Sequence, residues 1–175
     1  MTQRTSIKVS GRVLYLTEDP TLLSKQLGGT DLSATEIAAI DAGEIALIDN
    51  ISTDELTPGW VCYYYDETLA RYCLVGLRGG VVERDSIKKG SFSVIVSGRS
   101  KGCGSSRETA PYSERECGIQ VVVAKSIEKI YGQNSQNIGL LTTTDASMVA
   151  RLRDGESISI DEFTNGLDEI SRDVV

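Results

Sequence analysis

The chain of 175 residues (18.9 kDa) has the size of one domain, and its hydrophobic fraction of 40% is enough for a buried core. Its 25 acidic residues outnumber 18 basic ones, and the net charge of -7 argues against a nucleic-acid-binding face and against adhesion to an anionic membrane. No apolar run reaches the roughly 18 residues of a membrane-spanning helix, and the first residues lack the apolar core of a signal peptide. We therefore expect a soluble, cytoplasmic protein.

The sequence contains no histidine, so this chain alone cannot build a Ser-His-Asp site, a Cys-His site or a histidine-ligated metal site. Its four cysteines form no CxxC pair, which argues against a zinc or iron–sulfur site held by this chain alone. We expect reduced and mostly buried thiols at these four positions, which are Cys62, Cys73, Cys103 and Cys117.

The first third of the chain predicts a strand, two short helical segments and a second strand. Residues 7–16 (IKVSGRVLYL) alternate apolar and polar side chains, as strands do. Residues 19–43 combine a proline-started turn, a Gly-Gly stop and a helix that Ser33 and Glu36 can cap. The short apolar run at 44–48 (EIALI) predicts a buried strand.

The remainder of the chain alternates strands and helices. Residues 91–97 (SFSVIVS) predict a strand, and the β-branched run at 119–124 predicts a strand buried on both faces. Between them we expect a helix that begins at Ser105 or Ser106, and a last short helix is predicted over 149–153. The acidic C-terminus is expected to fray. This order predicts an α/β fold with parallel strands.

The sequence GRSKGCGSSRE (98–108), hereafter the glycine loop, has the composition of an anion-binding loop. Its glycines let the backbone approach a ligand, and the start of a helix offers unpaired N–H groups. Arg107 adds a planar fork that matches a carboxylate or a phosphate. The alternative is that Ser105 or Ser106 only caps the helix. The glycine spacing matches neither a Walker loop nor a dinucleotide fingerprint.

Two motifs make the chain similar to a known family. The stretch GCGSSRETAP, followed by CGIQVVVAKSIEKIYGQNSQNIGLL, resembles the swivel domain of the aconitase superfamily, in particular the small subunit of 3-isopropylmalate dehydratase and related hydro-lyases. The segment DNISTDELTP (49–58), hereafter the first motif, resembles a second signature of that family. ARLRDGESISID near the C-terminus resembles its closing turn and strand. The resemblance covers about residues 44–162.

The resemblance implies a three-layer, swivelling β/β/α domain with a mostly parallel central sheet. It also implies a heteromeric hydro-lyase or isomerase that dehydrates and rehydrates a 2-hydroxy di- or tricarboxylic acid, such as 3-isopropylmalate or a related alkyl-substituted malate. In this family a separate large subunit carries a [4Fe-4S] cluster, whose open iron acts as a Lewis acid on the substrate. The chain is therefore expected to bind no metal itself and to be active only with that partner.

Position by position, Ser105 resembles the family's catalytic base, and Ser106 and Arg107 resemble the ligands of a substrate carboxylate. Gly104 and Cys103 precede them and are expected to contact substrate. A serine base agrees with the absence of histidine. It requires a strongly lowered pKa, for which the helix start and Arg107 are the expected sources.

The chain departs from the family pattern at two positions near this site. Thr109 stands where the family usually has His or Gln, and we assign it no role. Lys101 stands where an aromatic residue is common. Two interpretations of Lys101 stay open, a solvated surface lysine and an extra cation for a polar substrate arm.

The family's specificity loop reads GWVCYYYDE in this chain. Relatives that act on a substrate with an additional carboxylate have an arginine there, whereas this loop contains no basic residue. A citrate-like or homocitrate-like substrate is therefore disfavoured. The loop is either a packed aromatic edge strand or a pocket wall for an apolar or bulky substituent, and its residues are Trp60, Val61, Cys62, Tyr63, Tyr64 and Tyr65.

We expect residues 1–175 to form a single swivel domain, with its core at about 44–162, an opening strand at about 7–16 and an inserted helical segment at about 19–43. Three roles stay open for this insertion: it contacts the large subunit, it covers the cleft, or it is a structural addition without a role in the reaction. Two alternative functions also stay open. One is a dehydratase of the same superfamily acting on a phosphorylated or other hydroxy acid, and the other is a non-catalytic anion-binding interaction module.

Overall fold

Six strands lie within residues 4–164, the part of the chain that this computed structural model describes. They are β1 (Ser6–Ile7), β2 (Arg12–Tyr15), β3 (Phe92–Ser97), β4 (Val121–Ala124), β5 (Leu141–Thr143) and β6 (Ile158–Ser159). Strands β2, β3, β4 and β5 form a parallel sheet in that spatial order, and β1 pairs with β6 in an antiparallel ribbon. The predicted α/β class with a parallel sheet is confirmed.

Eight α-helices lie within the same residues. They are α1 (Pro20–Leu27), α2 (Ala34–Asp41), α3 (Thr53–Leu56), α4 (Thr68–Arg71), α5 (Ser86–Lys89), α6 (Thr109–Glu116), α7 (Lys129–Asn137) and α8 (Met148–Arg153). The connection from β2 to β3 carries α1 to α5, whereas α6 and α7 each link neighbouring strands. Since parallel crossovers are right-handed, consecutive strands in this order place their crossovers on one face. Helices α1 and α3 to α7 lie on that face, whereas α2 packs on the other.

Alternate residues of the strands supply two hydrophobic clusters, one on each face of the sheet. Ile95 and Val122 belong to the first cluster, which α1 and α3 to α7 cover. Val94 and Val121 belong to the second cluster, which the β1–β6 ribbon, α2 and α8 cover. The central strands are therefore buried on both faces, as the continuous β-branched run at 119–124 predicted.

The segment 19–43 covers the edge of the sheet at β2. The side chain of Gln26 in α1 is fully buried and pairs with the backbone of Tyr15. Its Oε1 accepts from Tyr15 N at 2.8 Å, and its Nε2 donates to Tyr15 O at 2.9 Å. The amide thus replaces a neighbouring strand and satisfies the backbone groups of an otherwise open edge.

Helix α2 begins as the sequence indicated. Ser33 Oγ accepts from Glu36 N at 3.2 Å, and the Glu36 carboxylate accepts from Ser33 N at 2.7 Å, so the predicted capping box is confirmed. Both helices of 19–43 contribute apolar side chains to the clusters, Leu23 to the first and Ile40 to the second. The division into an inserted segment and a core stays a prediction.

Two element predictions need correction. Residues 7–16 do not form one strand, because they are divided between β1 and β2. The run at 44–48 is not a strand, since Leu47 makes only an isolated antiparallel bridge to Thr17. Its backbone turns away after Ile48, where Asn50 has a positive φ of 54°. The acidic C-terminus that was expected to fray lies outside the described residues.

Candidate active site

The first motif and the glycine loop lie side by side at the carboxyl end of β3. Gly102 N donates to Ile51 O at 2.8 Å, and Thr53 N donates to Cys103 O at 2.9 Å. These bonds join residues about 50 positions apart in the chain. The crevice outside the carboxyl ends of parallel strands is where open α/β sheets bind their ligands.

Two glycines permit this close approach. A Cβ at position 98 would lie 2.0 Å from Asp49 Oδ1, which accepts a hydrogen bond from Arg99 N at 2.6 Å. A Cβ at position 102 would lie 2.2 Å from the ring of Tyr131, and Gly102 has a φ of +84°. Both positions therefore require glycine for the loop to dock.

Helix α3 presents the first motif to the loop. Ser52 caps it, and Glu55 completes a capping box by accepting from Ser52 N at 2.9 Å. Glu55 also accepts from Arg78 Nε at 2.7 Å. Burial raises the pKa of Glu55, but the hydrogen bonds from Arg78 and from the Ser52 backbone outweigh it and lower the pKa to about 2.

Ser105 lies at the surface next to Thr53, the first residue of α3. Thr53 Oγ1 donates to Ser105 O at 3.0 Å and lies 3.2 Å from Ser105 Oγ, where either hydroxyl can donate. A threonine hydroxyl carries one proton, so it cannot donate to both oxygens fully at once. Thr53 therefore donates to one of the two Ser105 oxygens at a time.

Arg107 is held by an ion pair with Asp54, the residue that follows Thr53. Its Nη1 donates to Asp54 Oδ1 and, at 3.3 Å, to Thr57 O. The Arg107 side chain is 27% exposed. Because the contacts use Nη1, the edge formed by Nε and Nη2 stays available to a planar anion.

The backbone of the glycine loop presents free N–H groups. Within residues 4–164, the N–H groups of Gly104, Ser105, Ser106 and Arg107 donate to no protein atom. Gly104 has a φ of +95°, the left-handed conformation that turns successive N–H groups toward one concavity. The anion-binding function of the loop stays a prediction.

The helix that follows begins later than the sequence indicated. Helix α6 starts at Thr109, not at Ser105 or Ser106, and Glu108 occupies the N-cap position without a side-chain cap. The physical reason is the docking of Ser105 and Arg107 onto α3, which holds these residues outside the helix. The helix start is therefore not the direct neighbour of Ser105 that we expected.

A cavity of about 280 Å³ opens beside the loop, between α3 and α7. Cys103, Ser105 and Arg107 line it together with Thr53 and residues of α7. Cys103 is half-buried, and burial raises the pKa of its thiol, an effect to which the charge of Glu128 adds. Near neutral pH the thiol therefore stays protonated.

The environment of Lys101 agrees with neither of the two interpretations made from the sequence. Its side chain is fully buried, and its Nζ donates to Glu114 Oε1 at 2.7 Å. Tyr131 donates to the other carboxylate oxygen of Glu114. The solvated interpretation is wrong, and the Lys101 charge is paired with the Glu114 carboxylate in the protein interior. Its function is to tie the glycine loop to α6 and α7.

The aromatic loop after the first motif is not a packed edge strand. It starts with a 3₁₀ turn at Gly59–Val61, and the most exposed ring, Tyr63, is 89% accessible. Trp60 packs edge-on against Tyr72, with the ring centres 5.1 Å apart. The loop therefore presents aromatic side chains to solvent beside the site.

Two members of this loop face inward instead. Val61 is fully buried, and Cys62 Sγ lies 3.4 Å from Thr109 Oγ1 and 3.6 Å from Pro58 O. Val61 thus belongs to the protein interior. On the outer side, Tyr65 donates to Glu108 at 3.2 Å, which connects the loop to the residue after Arg107.

Thr53 and Asp54 were not assigned a role from the sequence. Both lie in DNISTDELTP, so the signal that could have identified them was the motif itself. Their contacts with Ser105 and Arg107 depend on the tertiary docking of two distant segments. A pattern of local spacing carries no information about such a pairing.

Within residues 4–164, no three His, Cys, Asp or Glu side chains are grouped closely enough to hold a metal ion. The cysteines are free thiols, of which Cys73 and Cys117 are buried and Cys62 and Cys103 half-buried.

None of the helices in the described part of the chain has the length and apolar character to cross a membrane.

Fold and site together define an α/β domain that presents a serine- and arginine-bearing glycine loop at the carboxyl edge of a parallel sheet. The family profile described as Aconitase C-terminal domain matches residues 80–147, which include this loop. The chain is 36% identical over 120 residues to the 3-isopropylmalate dehydratase small subunit of Caldicellulosiruptor bescii, covering 68% of this chain and 69% of that protein. The chain therefore belongs to the family of 3-isopropylmalate dehydratase small subunits, as its motifs indicated.

Other relatives agree. The small subunit of the same name from Caldicellulosiruptor saccharolyticus is 38% identical over 114 residues, or 65% of this chain and 64% of that protein. The methanogen homoaconitase small subunit of Methanocaldococcus jannaschii is 36% identical over 117 residues, again 65% and 64%. The chain thus spans slightly less than two thirds of these two relatives. A crystal structure of 3-isopropylmalate dehydratase from Methanocaldococcus jannaschii covers 63% of this chain and 74% of its own, at 28% identity and a TM-score of 0.46.

Proposed function

We propose that this chain is the small subunit of an iron–sulfur hydro-lyase that dehydrates and rehydrates a 2-hydroxy acid. The observation that carries the proposal is the glycine loop, which combines an exposed serine hydroxyl, an arginine fork and free backbone N–H groups. Family membership supports the reaction class, since the relatives carry dehydratase and homoaconitase names.

Ser105 is the base in this proposal. In dehydration the C–H bond next to a substrate carboxylate breaks, its proton moves to Ser105 Oγ, a carbon–carbon double bond forms and hydroxide leaves from the adjacent carbon. Rehydration reverses these steps. The serine oxygen must be alkoxide-like before the transfer, and a hydrogen bond from Thr53 Oγ1 together with the Arg107 charge stabilises that form.

Arg107 and Ser106 bind a substrate carboxylate. The pairing of Arg107 Nη1 with Asp54 orients the guanidinium and leaves its Nε–Nη2 edge for a two-point contact. The free N–H groups of the loop add donors for the same anion. Gly104 and Cys103 line the cavity beside these donors and limit the space in which the substrate lies.

The catalytic partner is a large subunit that carries the [4Fe-4S] cluster. The donor groups of residues 4–164 do not fit such a cluster, because no three potential ligands come together. Ser105 and Ser106 are exposed, as expected for one half of a site that a second chain closes. The small chain contributes the base and the carboxylate contacts, and the metal chemistry is assigned to the partner.

The proposed substrate is 3-isopropylmalate or a related alkyl-substituted malate. The specificity loop contains no basic residue to pair with an additional carboxylate. It offers aromatic surface instead, through Trp60, Tyr63 and Tyr64, against which an alkyl substituent can pack. The homoaconitase name of one relative makes homocitrate-type acids the comparison that the substrate assay must include.

Reconstitution tests the proposal. The purified chain and a cluster-bearing large subunit from the same cell are assayed separately and mixed, with 3-isopropylmalate, homocitrate and a phosphorylated hydroxy acid as substrates. We expect activity only from the mixture and only with the alkyl-substituted malate. Activity of the isolated chain, or of the large subunit alone at the rate of the mixture, would contradict the proposal.

The same experiment separates the alternatives. Turnover of the phosphorylated acid in preference to 3-isopropylmalate would favour the other dehydratase. Recovery of no cluster-bearing protein in a pull-down from the native cell, combined with an inactive mixture, would favour the non-catalytic module.

A further inference from the structure

A second and larger cavity, of about 500 Å³, lies at the same edge of the sheet but on its opposite face. The ends of all four parallel strands line it, since Tyr15, Ser97 and Ala124 end β2, β3 and β4, and Thr144 follows β5. Helices α2 and α8 close its sides. Its volume falls within the range of about 300–1,000 Å³ that is typical of small-molecule sites.

The wall of the cavity is mostly aliphatic. Helix α2, the 44–48 run, the sheet and α8 each contribute to it, through Ile37, Ile40, Leu47, Val96, Val123 and Val149. A surface of this kind favours an apolar chain of several carbon atoms over a polar ligand, because burial removes apolar area from water on both sides.

One buried polar group beside the cavity lacks a partner in the described part of the chain. The hydroxyl oxygens of Tyr15 and Ser97 are both buried. The Ser97 hydroxyl has no hydrogen-bond partner in the described part of the protein, whereas the Tyr15 hydroxyl faces Arg153. Ser97 is 1% exposed and Tyr15 is 4% exposed. Buried hydroxyls are ordinarily hydrogen-bonded, so the unpartnered Ser97 hydroxyl beside the cavity indicates a missing acceptor or donor.

The charged residues that line the cavity favour an anion. Arg153 and Lys125 are positive, and Asp41 is negative, so one positive charge is in excess. In the described part of the chain, neither Arg153 nor Lys125 forms a salt bridge with a carboxylate within 4.0 Å. Arg153 lies against the Tyr15 hydroxyl, since its charge and its hydrogen bond to that hydroxyl both oppose the rise that burial causes in the Tyr15 pKa.

We propose that this cavity binds a small monocarboxylate with an aliphatic tail. The carboxylate pairs with Arg153 and Lys125 and accepts from the Ser97 hydroxyl, while the tail packs on the aliphatic wall. The site shares no residue with the glycine loop, so a test of this site is independent of the proposed dehydration chemistry.

Isothermal titration calorimetry with hexanoate tests this site on the full chain without a partner. Hexanoate is expected to bind saturably at one site, and hexan-1-ol, which lacks the carboxylate, about tenfold or more weakly, as loss of a charged hydrogen bond predicts. Arg153→Ala is expected to weaken hexanoate binding by a similar factor. Arg84→Ala, an exposed arginine outside the cavity, serves as the matched control and is expected to bind hexanoate unchanged.

A second variant fills the cavity without altering its charge. Ala150 lies on the exposed side of α8 and lines the cavity, so Ala150→Trp leaves the core intact and is expected to abolish binding. Ser105→Ala is expected to bind hexanoate like the wild type. Absence of saturable hexanoate binding to the wild type, or unchanged binding in Ala150→Trp, would overturn the proposal.

Discussion

At the scale of single residues, the proposed base depends on a neighbour that the sequence motifs contained but did not single out. Thr53 Oγ1 lies within hydrogen-bonding distance of both the carbonyl and the hydroxyl oxygen of Ser105. When Thr53 Oγ1 donates to the Ser105 carbonyl oxygen, it can accept a hydrogen bond from the protonated Ser105 hydroxyl. When Thr53 Oγ1 donates to Ser105 Oγ instead, it stabilises the alkoxide form of Ser105. The two arrangements favour opposite protonation states of Ser105.

Thr53→Val removes this hydroxyl and keeps the side-chain volume. We expect kcat of the reconstituted enzyme to fall about 10- to 100-fold, since a hydrogen bond to a charged group is worth about 1.5–3 kcal/mol, while KM changes little. Steady-state kinetics measure the effect. Thr30→Val, an exposed threonine remote from the loop, is the control and should retain the wild-type kcat. A Thr53→Val enzyme with unchanged kcat would remove Thr53 from the mechanism.

The sequence alone was enough to choose Ser105, Ser106 and Arg107 as candidate site residues, because they lie in one contiguous motif. The state of Lys101 was not, because its burial depends on the carboxylate of Glu114, which a helix of the same crossover delivers to it. A lysine flanked by serine and glycine looks solvated in the sequence. Only the packing of α6 against α7 shows that its charge is neutralised inside.

At the scale of elements, α3 is a single helical turn whose geometry depends on its cap. Glu55 accepts from the Ser52 backbone and from Arg78, and these bonds lower its pKa from 4.5 to about 2 against the opposing effect of burial. A carboxyl whose pKa is lower in the folded state stabilises the fold fully above its unfolded pKa. That stability is lost as the pH falls from about 4.5 toward 2.

Glu55→Gln is expected to lower the free energy of unfolding at pH 7 by about 1–2 kcal/mol, the usual range for a lost cap or charge-assisted bond. The difference from the wild type should shrink as the pH falls from 4.5 to about 2, because protonated Glu55 resembles glutamine. Urea titrations at several pH values measure it. A constant difference across this range would show that the Glu55 charge does not stabilise α3.

The buried contact between Lys101 and Glu114 links the glycine loop to α6. Lys101→Met leaves a carboxylate buried without its cation, and we expect a loss of about 3–5 kcal/mol in unfolding free energy. The double variant Lys101→Met/Glu114→Leu removes both charges and is expected to recover most of that loss. Chemical denaturation of the wild type, the two single variants and the double variant measures the coupling. Additive losses would contradict a paired interaction.

Strands and the capping box of α2 were predictable because their patterns are local. The start of α6 was not, since Ser105 and Arg107 are held out of the helix by α3. The 44–48 run has the composition of a strand, yet its partner residue Thr17 lies two residues beyond the end of β2, and the pairing there is a single isolated bridge. Long-range contacts decided these cases against local preference.

At the scale of the whole molecule, the segment 19–43 covers the edge of the parallel sheet at β2. Gln26 bonds both backbone groups of Tyr15 on the edge strand, and α2 forms one side of the second cavity. A segment that was open to three interpretations from the sequence thus has a structural function. A contact between this segment and the large subunit stays a prediction.

Gln26→Ala is expected to lower the free energy of unfolding by about 1–3 kcal/mol, because it leaves the buried Tyr15 N–H without a partner, while Tyr15 O keeps the hydrogen bond from Thr17 N. Gln133→Ala, an exposed glutamine in α7, is the control and should lie within about 0.5 kcal/mol of the wild type. Denaturant titration compares the three proteins. Equal stability of Gln26→Ala and the control would show that water satisfies this edge.

The proposed function assigns proton removal to Ser105, which is consistent with a chain that contains no histidine. The measurement that tests this most directly is the rate at which the reconstituted enzyme exchanges the substrate proton next to the carboxylate for deuterium in D2O. Ser105→Ala is expected to slow this exchange about 10²- to 10⁴-fold, whereas Ser157→Ala, an exposed serine far along the chain, should not change it. Exchange at the wild-type rate in Ser105→Ala would contradict the account.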